Sequence, residues 1–181
     1  MPFSQGVFYH SDLPLQWRDA PLPAARVLQQ QMRTNTVLFH ALAAMETPLT
    51  EQEAEVGSAM AKILDRLEAK LNLAVDLLSQ LTASQTPLPA THPVTLSAEA
   101  IEWIAPDGPA ADREITLSLF LDPRLPQPLQ LPARVATRVA LPEGIRTFAE
   151  FAHLSDEVRD WLERTVFRYH RRYIQSLHTS R

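Results

Sequence analysis

Arg134 and Arg138 stand four residues apart, and so do Arg168 and Arg172. A guanidinium group is a planar fork that grips phosphate or carboxylate oxygens two at a time, so such pairs are suited to holding a phosphorylated ligand. The first pair lies in a stretch with strand-like alternation, which predicts both on one face, about 13 Å apart at ~3.3 Å per residue. The second lies in a helical stretch, where a spacing of four means only the same side. Ordinary solvated arginines are the plainer account of both spacings. Residues 164–181 also concentrate positive charge: Arg164, Arg168, Arg171, Arg172 and Arg181, with no carboxylate. A basic end on an acidic chain suits docking to phosphate or acidic groups. Cations at a helix C-terminus also favour its dipole, which covers one or two of these arginines.

Other chemistry is excluded more firmly. The four glycines, Gly6, Gly57, Gly108 and Gly144, cannot build a phosphate-cradling loop. No two of His10, His40, His92, His153, His170 and His178 stand three or four apart on a helix, and none adjoins a carboxylate at metal-ligand spacing. The sequence has no G-x-S-x-G elbow. The acidic pairs Glu53/Glu55 and Asp156/Glu157 fall at helix starts, where capping explains them. With no cysteine, disulfides and thiolate catalysis are ruled out. These residues predict neither an enzyme of familiar type nor a bound cofactor or metal. A formal charge of −4 argues against a general nucleic-acid binder. No apolar run approaches the ~20 residues that span a bilayer, and the N-terminus lacks a signal-peptide pattern. The expected location is the cytoplasm.

The elements that must position these side chains fall into three segments. Residues 3–17 predict a short strand at Phe3–Tyr9 and then an extended arm packing Leu13, Leu15 and Trp17. Pro23 suits the first turn of a helix running to about Met45. Leu28, Met32, Asn35, Leu38, Phe39, Leu42 and Met45 line its apolar side. Asn35 either fixes register within that seam or sits solvated at its edge. After Thr47-Pro48-Leu49, Thr50 and Glu53 form a capping box for a second helix over residues 50–82. Met60, Leu64, Leu67, Leu71, Ala74, Leu78 and Leu81 recur at steps of four and three, a heptad seam. Such a helix is about 50 Å long, more than the ~30 Å width of a small domain, and needs a neighbour to cover it. Val56, Ile63 and Leu77 widen the seam, which favours more than two strands in an oligomer; the alternative is a monomer in which both helices lie against the strand domain.

Pro87, Pro89 and Pro93 mark a linker. Strands are then predicted at Val94–Leu96, Ile101–Ile104, Ile115–Leu121, Leu129–Val139 and Thr147–Phe151, the spacing of a small barrel or sandwich. A last helix begins at Ser155 as N-cap, with a stripe of Val158, Trp161, Leu162, Thr165, Val166, Tyr169, Tyr173 and Leu177.

Four features carry a family resemblance: Leu96-Ser97-Ala98-Glu99-Ala100-Ile101-Glu102-Trp103, the amphipathic Ile115–Leu121 strand, Leu131-Pro132-Ala133-Arg134-Val135, and Phe151-Ala152-His153-Leu154-Ser155 leading into the terminal helix. In this order, residues 92–178 resemble a PilZ domain, the six-stranded barrel with which bacteria sense cyclic di-GMP. With the heptad helix and Arg168-Tyr169-His170-Arg171-Arg172, the whole chain is similar to the atypical, tetramer-forming branch. The resemblance implies an α+β fold: a small six-stranded antiparallel barrel, a long-helix hairpin forming a coiled-coil oligomerisation bundle, and a C-terminal helix. The expected division is an arm over 1–22, the helical hairpin over 23–83, and barrel plus helix over 91–181.

The departures bear on the ligand. The family's R-x-x-x-R precedes the barrel, yet Thr82 to Glu102 contains no Arg or Lys. Of the D/N-x-S-x-x-G segment only Ser97 is kept; Thr95 replaces the acceptor and Ala100 the glycine. The expected function is therefore a non-catalytic signalling or scaffold protein. It would self-associate as a tetramer and act on a protein partner in cyclic di-GMP-linked behaviour, such as type IV pilus function, motility or virulence. The alternative is a cyclic di-GMP receptor with a non-standard site drawn from Ser97, Arg134, Arg138, Arg168 and Arg172. A third reading is an anion- or nucleic-acid-binding adaptor acting through the basic tail.

Overall fold

A computed structural model of the chain describes residues 7–46, 66–67, 70–71, 87–122, 125 and 127–179. Among these, six strands close into an antiparallel barrel: β1 (Tyr9–Asp19), β2 (Thr91–Leu96), β3 (Ala100–Ala105), β4 (Glu114–Leu119), β5 (Leu129–Leu141) and β6 (Gly144–Phe151). Their order around the barrel is β1-β2-β3-β6-β5-β4. Two long helices accompany it, α1 (Ala25–Glu46) and α2 (Asp156–Thr179).

Alternation builds the interior, because successive strand residues point to opposite faces. Leu96, Ile101, Trp103, Ile115, Leu117, Leu119, Leu131, Val135 and Ala149 are fully buried, with Leu13 and Leu15 of β1 beside them. Within the stretch expected as strand and arm, Tyr9–Asp19 is a full member of the barrel. Pro14 conceals this in the sequence. Up to Pro14, β1 pairs with β2, ending at Pro14↔Thr91; from Leu15↔Leu119 onward it pairs with β4. A proline cannot donate to a ladder, but here its carbonyl still accepts from Phe120 N–H at 3.1 Å. The handover between partners is where a missing donor does least harm.

The two-residue turn Pro142-Glu143 joins β5 to β6. Gly144 follows it at φ 143°, and a Cβ there would come within 2.5 Å of the Ala105 carbonyl oxygen. Only glycine fits both demands.

Both helices bury one face. Met32, Leu38, Phe39 and Leu42 of α1, and Val158, Leu162 and Val166 of α2, join the core. Ser155 caps α2 as expected: Val158 N–H donates to its Oγ at 3.3 Å, and Arg159 N–H donates to its carbonyl at 3.0 Å. The helices meet where His40 packs edge-on to Trp161, ring centroids 4.6 Å apart. α2 also lies along the start of β1, with Tyr169 4.9 Å from Tyr9 and His170 Nδ1 bonded to the Phe8 carbonyl at 2.9 Å.

Asn35 resolves in favour of the seam. It is fully buried, and its side-chain amide forms two hydrogen bonds to the Gln130 backbone, one to the carbonyl and one from the N–H, each 2.9 Å. The β5–β6 ladder begins only at Ala133↔Phe151, so Gln130 has no β6 partner. The Asn35 amide takes that place and fastens α1 to the barrel.

Of the predicted 50–82 helix, residues 66–67 and 70–71 are described, and they are helical. Met60, Leu64, Ala74, Leu78, Leu81 and the Thr50/Glu53 capping box lie outside the described residues. Among the described residues, no helix is long and apolar enough to cross a membrane.

Candidate functional site

The turn between β2 and β3 is built by Ser97. Its Oγ accepts from Ala100 N–H at 3.0 Å and Glu99 N–H at 3.2 Å, and donates to the Ala100 carbonyl at 3.1 Å. Hydroxyl bonds of this kind are how serine closes a tight turn. The hydroxyl is fully used inside its own turn. Thr95, two residues earlier, hydrogen-bonds across to Nδ1 of His10 on β1 at 2.7 Å. Ala100 is buried and pairs with Glu150 of β6.

Between this turn and α2 lies a cavity of about 560 Å³. Ser97, Ala98 and Glu99 form one wall, and Arg159, Glu163, Arg164, Val166 and Phe167 the other, with Val7 at the edge. Arg164 is steadied by stacking over Trp161, its guanidinium carbon 5.6 Å from the ring centroid. The cavity is thus amphiphilic: apolar on Val7, Ala98, Val166 and Phe167, with two guanidinium groups and two carboxylates around it.

Arg134, Arg138, Arg168 and Arg172 are not among its described lining residues. Arg134 sits on the outside of β5, cross-strand from Glu114 and Glu150, and donates to Asp112 at 3.3 Å. Arg138 does not share its face. The β5–β6 register shifts between Val135 and Thr137, leaving Ala136 as an extra residue. One inserted residue reverses the alternation beyond it. Arg138 therefore pairs with Thr147, in line with buried Trp103, while Arg134 pairs with outward-facing Glu150. The two guanidinium groups leave the strand from opposite faces and cannot clamp one ligand between them. On α2, Arg168 is half-buried and donates to Thr165 Oγ1 at 3.2 Å, whereas Arg172 is exposed.

Arg159 and the placement of Arg164 beside Ser97 escaped the sequence reading. The two segments are brought together by the docking of α2, which no local spacing encodes. Among the described residues no group of three or more His, Asp or Glu is placed to hold a metal ion.

Leu67 and Leu71 of the heptad are 52% and 65% exposed. Four apart on one side of a helix, they form an apolar pair that a neighbouring helix can cover.

Residues 38–179 match the family model described as atypical PilZ domain, cyclic di-GMP receptor. A search of curated proteins returns no match. Among solved structures, a tetrameric PilZ domain protein from Xanthomonas campestris, described as pathogenic and self-assembled via an unusual helical bundle, is similar at 25% identity. The match covers 96% of this chain and 93% of that one, with a TM-score of 0.81. With the closed barrel, the terminal helix and a family match over most of its length, the chain belongs to the atypical PilZ domain family.

Proposed function

We propose that this chain is a non-catalytic PilZ-type signalling scaffold that assembles as a tetramer through its heptad helix and works by protein contacts. Its setting is the cytoplasm, in cyclic di-GMP-linked processes such as type IV pilus function, motility or virulence. The observation that carries this reading is the fate of Ser97. It is the one residue of the family's ligand segment that is kept, and its hydroxyl is spent on its own turn. The position of the guanine acceptor is held by Thr95, engaged with His10, and no Arg or Lys stands between Thr82 and Glu102. Support for assembly comes from exposed Leu67 and Leu71 and from the tetrameric Xanthomonas structure.

Two measurements test it. Leu67→Asp and Leu71→Asp should lower the sedimenting mass to that of smaller species while the barrel stays folded. An unchanged mass removes the heptad from the assembly. Calorimetric titration of the intact protein with cyclic di-GMP at micromolar concentration should give no saturable heat and no shift in melting temperature.

A second reading has one observation in its favour. The cavity beside Ser97 offers Arg159 and Arg164 in place of the family's R-x-x-x-R. On that reading the protein is a cyclic di-GMP receptor with a relocated clamp. Saturable binding that is lost in Arg159→Ala and Arg164→Ala would establish it and displace the scaffold reading.

A further inference from the structure

The outer side of α2 continues the cavity as a stripe. Arg164, Phe167, Arg171 and Ile174 follow one another at steps of three, four and three, the spacing of one helix face. All four are exposed, Phe167 by 54%. Arg164 and Phe167 belong to both features, so cavity and stripe form one surface from the Ser97–Glu99 turn toward the end of α2. Phe167 and Ile174 alternate with arginines in the basic second half of α2, so the exposed apolar side chains there form a continuation of the cavity's apolar wall rather than a lone surface residue.

We infer that this surface is a docking site for an acidic, amphipathic helix of a partner protein. An apolar anchor of the partner enters the cavity against Val7, Ala98, Val166 and Phe167. Its carboxylates engage Arg164 and Arg171, and its apolar seam covers Phe167 and Ile174. The inference rests on the scaffold reading and names the chemistry of the partner that reading requires. Charge selects that chemistry. Stacking on Trp161 holds the Arg164 guanidinium, and among the described residues neither Arg164 nor Arg171 has a carboxylate partner. Exposed guanidinium groups beside apolar side chains are the usual composition of an interface centre.

Extended polyanions fit this face less well. Asp156, Glu157, Asp160 and Glu163 occupy the first half of α2. A duplex or an anionic bilayer lying along the helix meets those carboxylates, and neither can put a side chain into the cavity. A short acidic helix ends before reaching Asp156, Glu157 and Asp160, and with Glu99 and Glu163 on the cavity walls its own carboxylates belong on the Arg164–Arg171 side.

The test uses the intact protein and a labelled synthetic amphipathic peptide of about two heptads. The peptide carries leucine along its seam, one central phenylalanine and glutamate on both flanks; a counterpart carries lysine at the flanks. Fluorescence anisotropy should show the glutamate peptide bound at least about tenfold more tightly than the lysine peptide, weakening with added salt. Phe167→Glu and Arg171→Glu should each cost about tenfold or more. Arg164→Glu/Arg171→Glu should reverse the preference and restore binding to the lysine peptide. Both positions are exposed, so the barrel keeps its circular dichroism and melting temperature. Equal affinity for the two peptides, or no effect of the substitutions, overturns the inference. So does binding of cyclic di-GMP, a short DNA duplex or phosphatidylglycerol vesicles with the same arginine dependence and no peptide bound. A fall in sedimenting mass on Phe167→Glu overturns it too, because the stripe is then a contact between copies. Sedimentation of Leu67→Asp is read on separate samples, so a failure of the assembly reading is told apart from a failure of this one.

Discussion

The barrel and the helices treat their apolar side chains differently. Among the described residues, Val139, beyond the bulge in β5, is the one large apolar side chain that a barrel strand leaves exposed. The helical residues leave Val27, Val37, Leu67, Leu71, Phe167, Tyr173 and Ile174 in the open. A closed barrel has no free edges and turns every inward position into core. Helices bury one stripe and are free to offer the other. The fold therefore keeps its stability in the barrel and its surfaces for association on the helices. Substitutions in the two regions should differ in kind: barrel changes read in melting, helix-face changes in mass and binding.

The largest effect belongs to Trp103. It is fully buried at the centre of β3, 5.9 Å from the Trp17 ring. Trp103→Ala leaves a cavity and should cost about 3–5 kcal/mol, measured by urea denaturation of the intact protein. A loss below about 1 kcal/mol would mean the barrel interior is not the stability core. Next is Asn35, the joint between the two regions. Asn35→Ala strands the Gln130 N–H and carbonyl and should cost about 1–3 kcal/mol in all, since the vacated space lets water reach part of the pair. Hydrogen exchange at Gln130 should rise while sedimentation stays unchanged. If mass falls with stability, α1 belongs to the assembly as well as to the barrel, and the division between the regions is less clean.

Much of this division is legible in the sequence, because alternation and helical periodicity are local signals. Ile115, Leu117 and Leu119 declare their strand and are buried as it requires, and the Ser155 cap and its stripe foretell α2. Two features are illegible for physical reasons. Pro14 reads as a break, and only the change of ladder partner at that residue makes it harmless. The bulge at Ala136 bears no glycine or proline, so nothing warns that Arg138 crosses to the other face. The candidate site was half visible. Ser97 stands out through its segment, but its hydrogen bonds turn inward. The arginines that approach it arrive from a helix more than sixty residues later in the sequence, through packing alone.

The smallest effect sharpens the comparison between arginines of the barrel and arginines of α2. Arg134 and Asp112 form an ion pair whose side chains are 65% and 82% exposed. Water and salt screen such a pair almost fully, and holding two mobile side chains offsets what remains. Arg134→Ala should therefore change stability by no more than about 0.5 kcal/mol and should leave both sedimentation and ligand titrations untouched. Arg164 and Arg171 are also exposed, yet they lie beside apolar groups that a partner can seal from water, where the same charge acts far more strongly. An effect of Arg134→Ala on binding as large as that of Arg171→Glu would place part of the docking surface on the barrel. No effect leaves association to the helices, and makes the difference between the two arginines one of what each can be buried against.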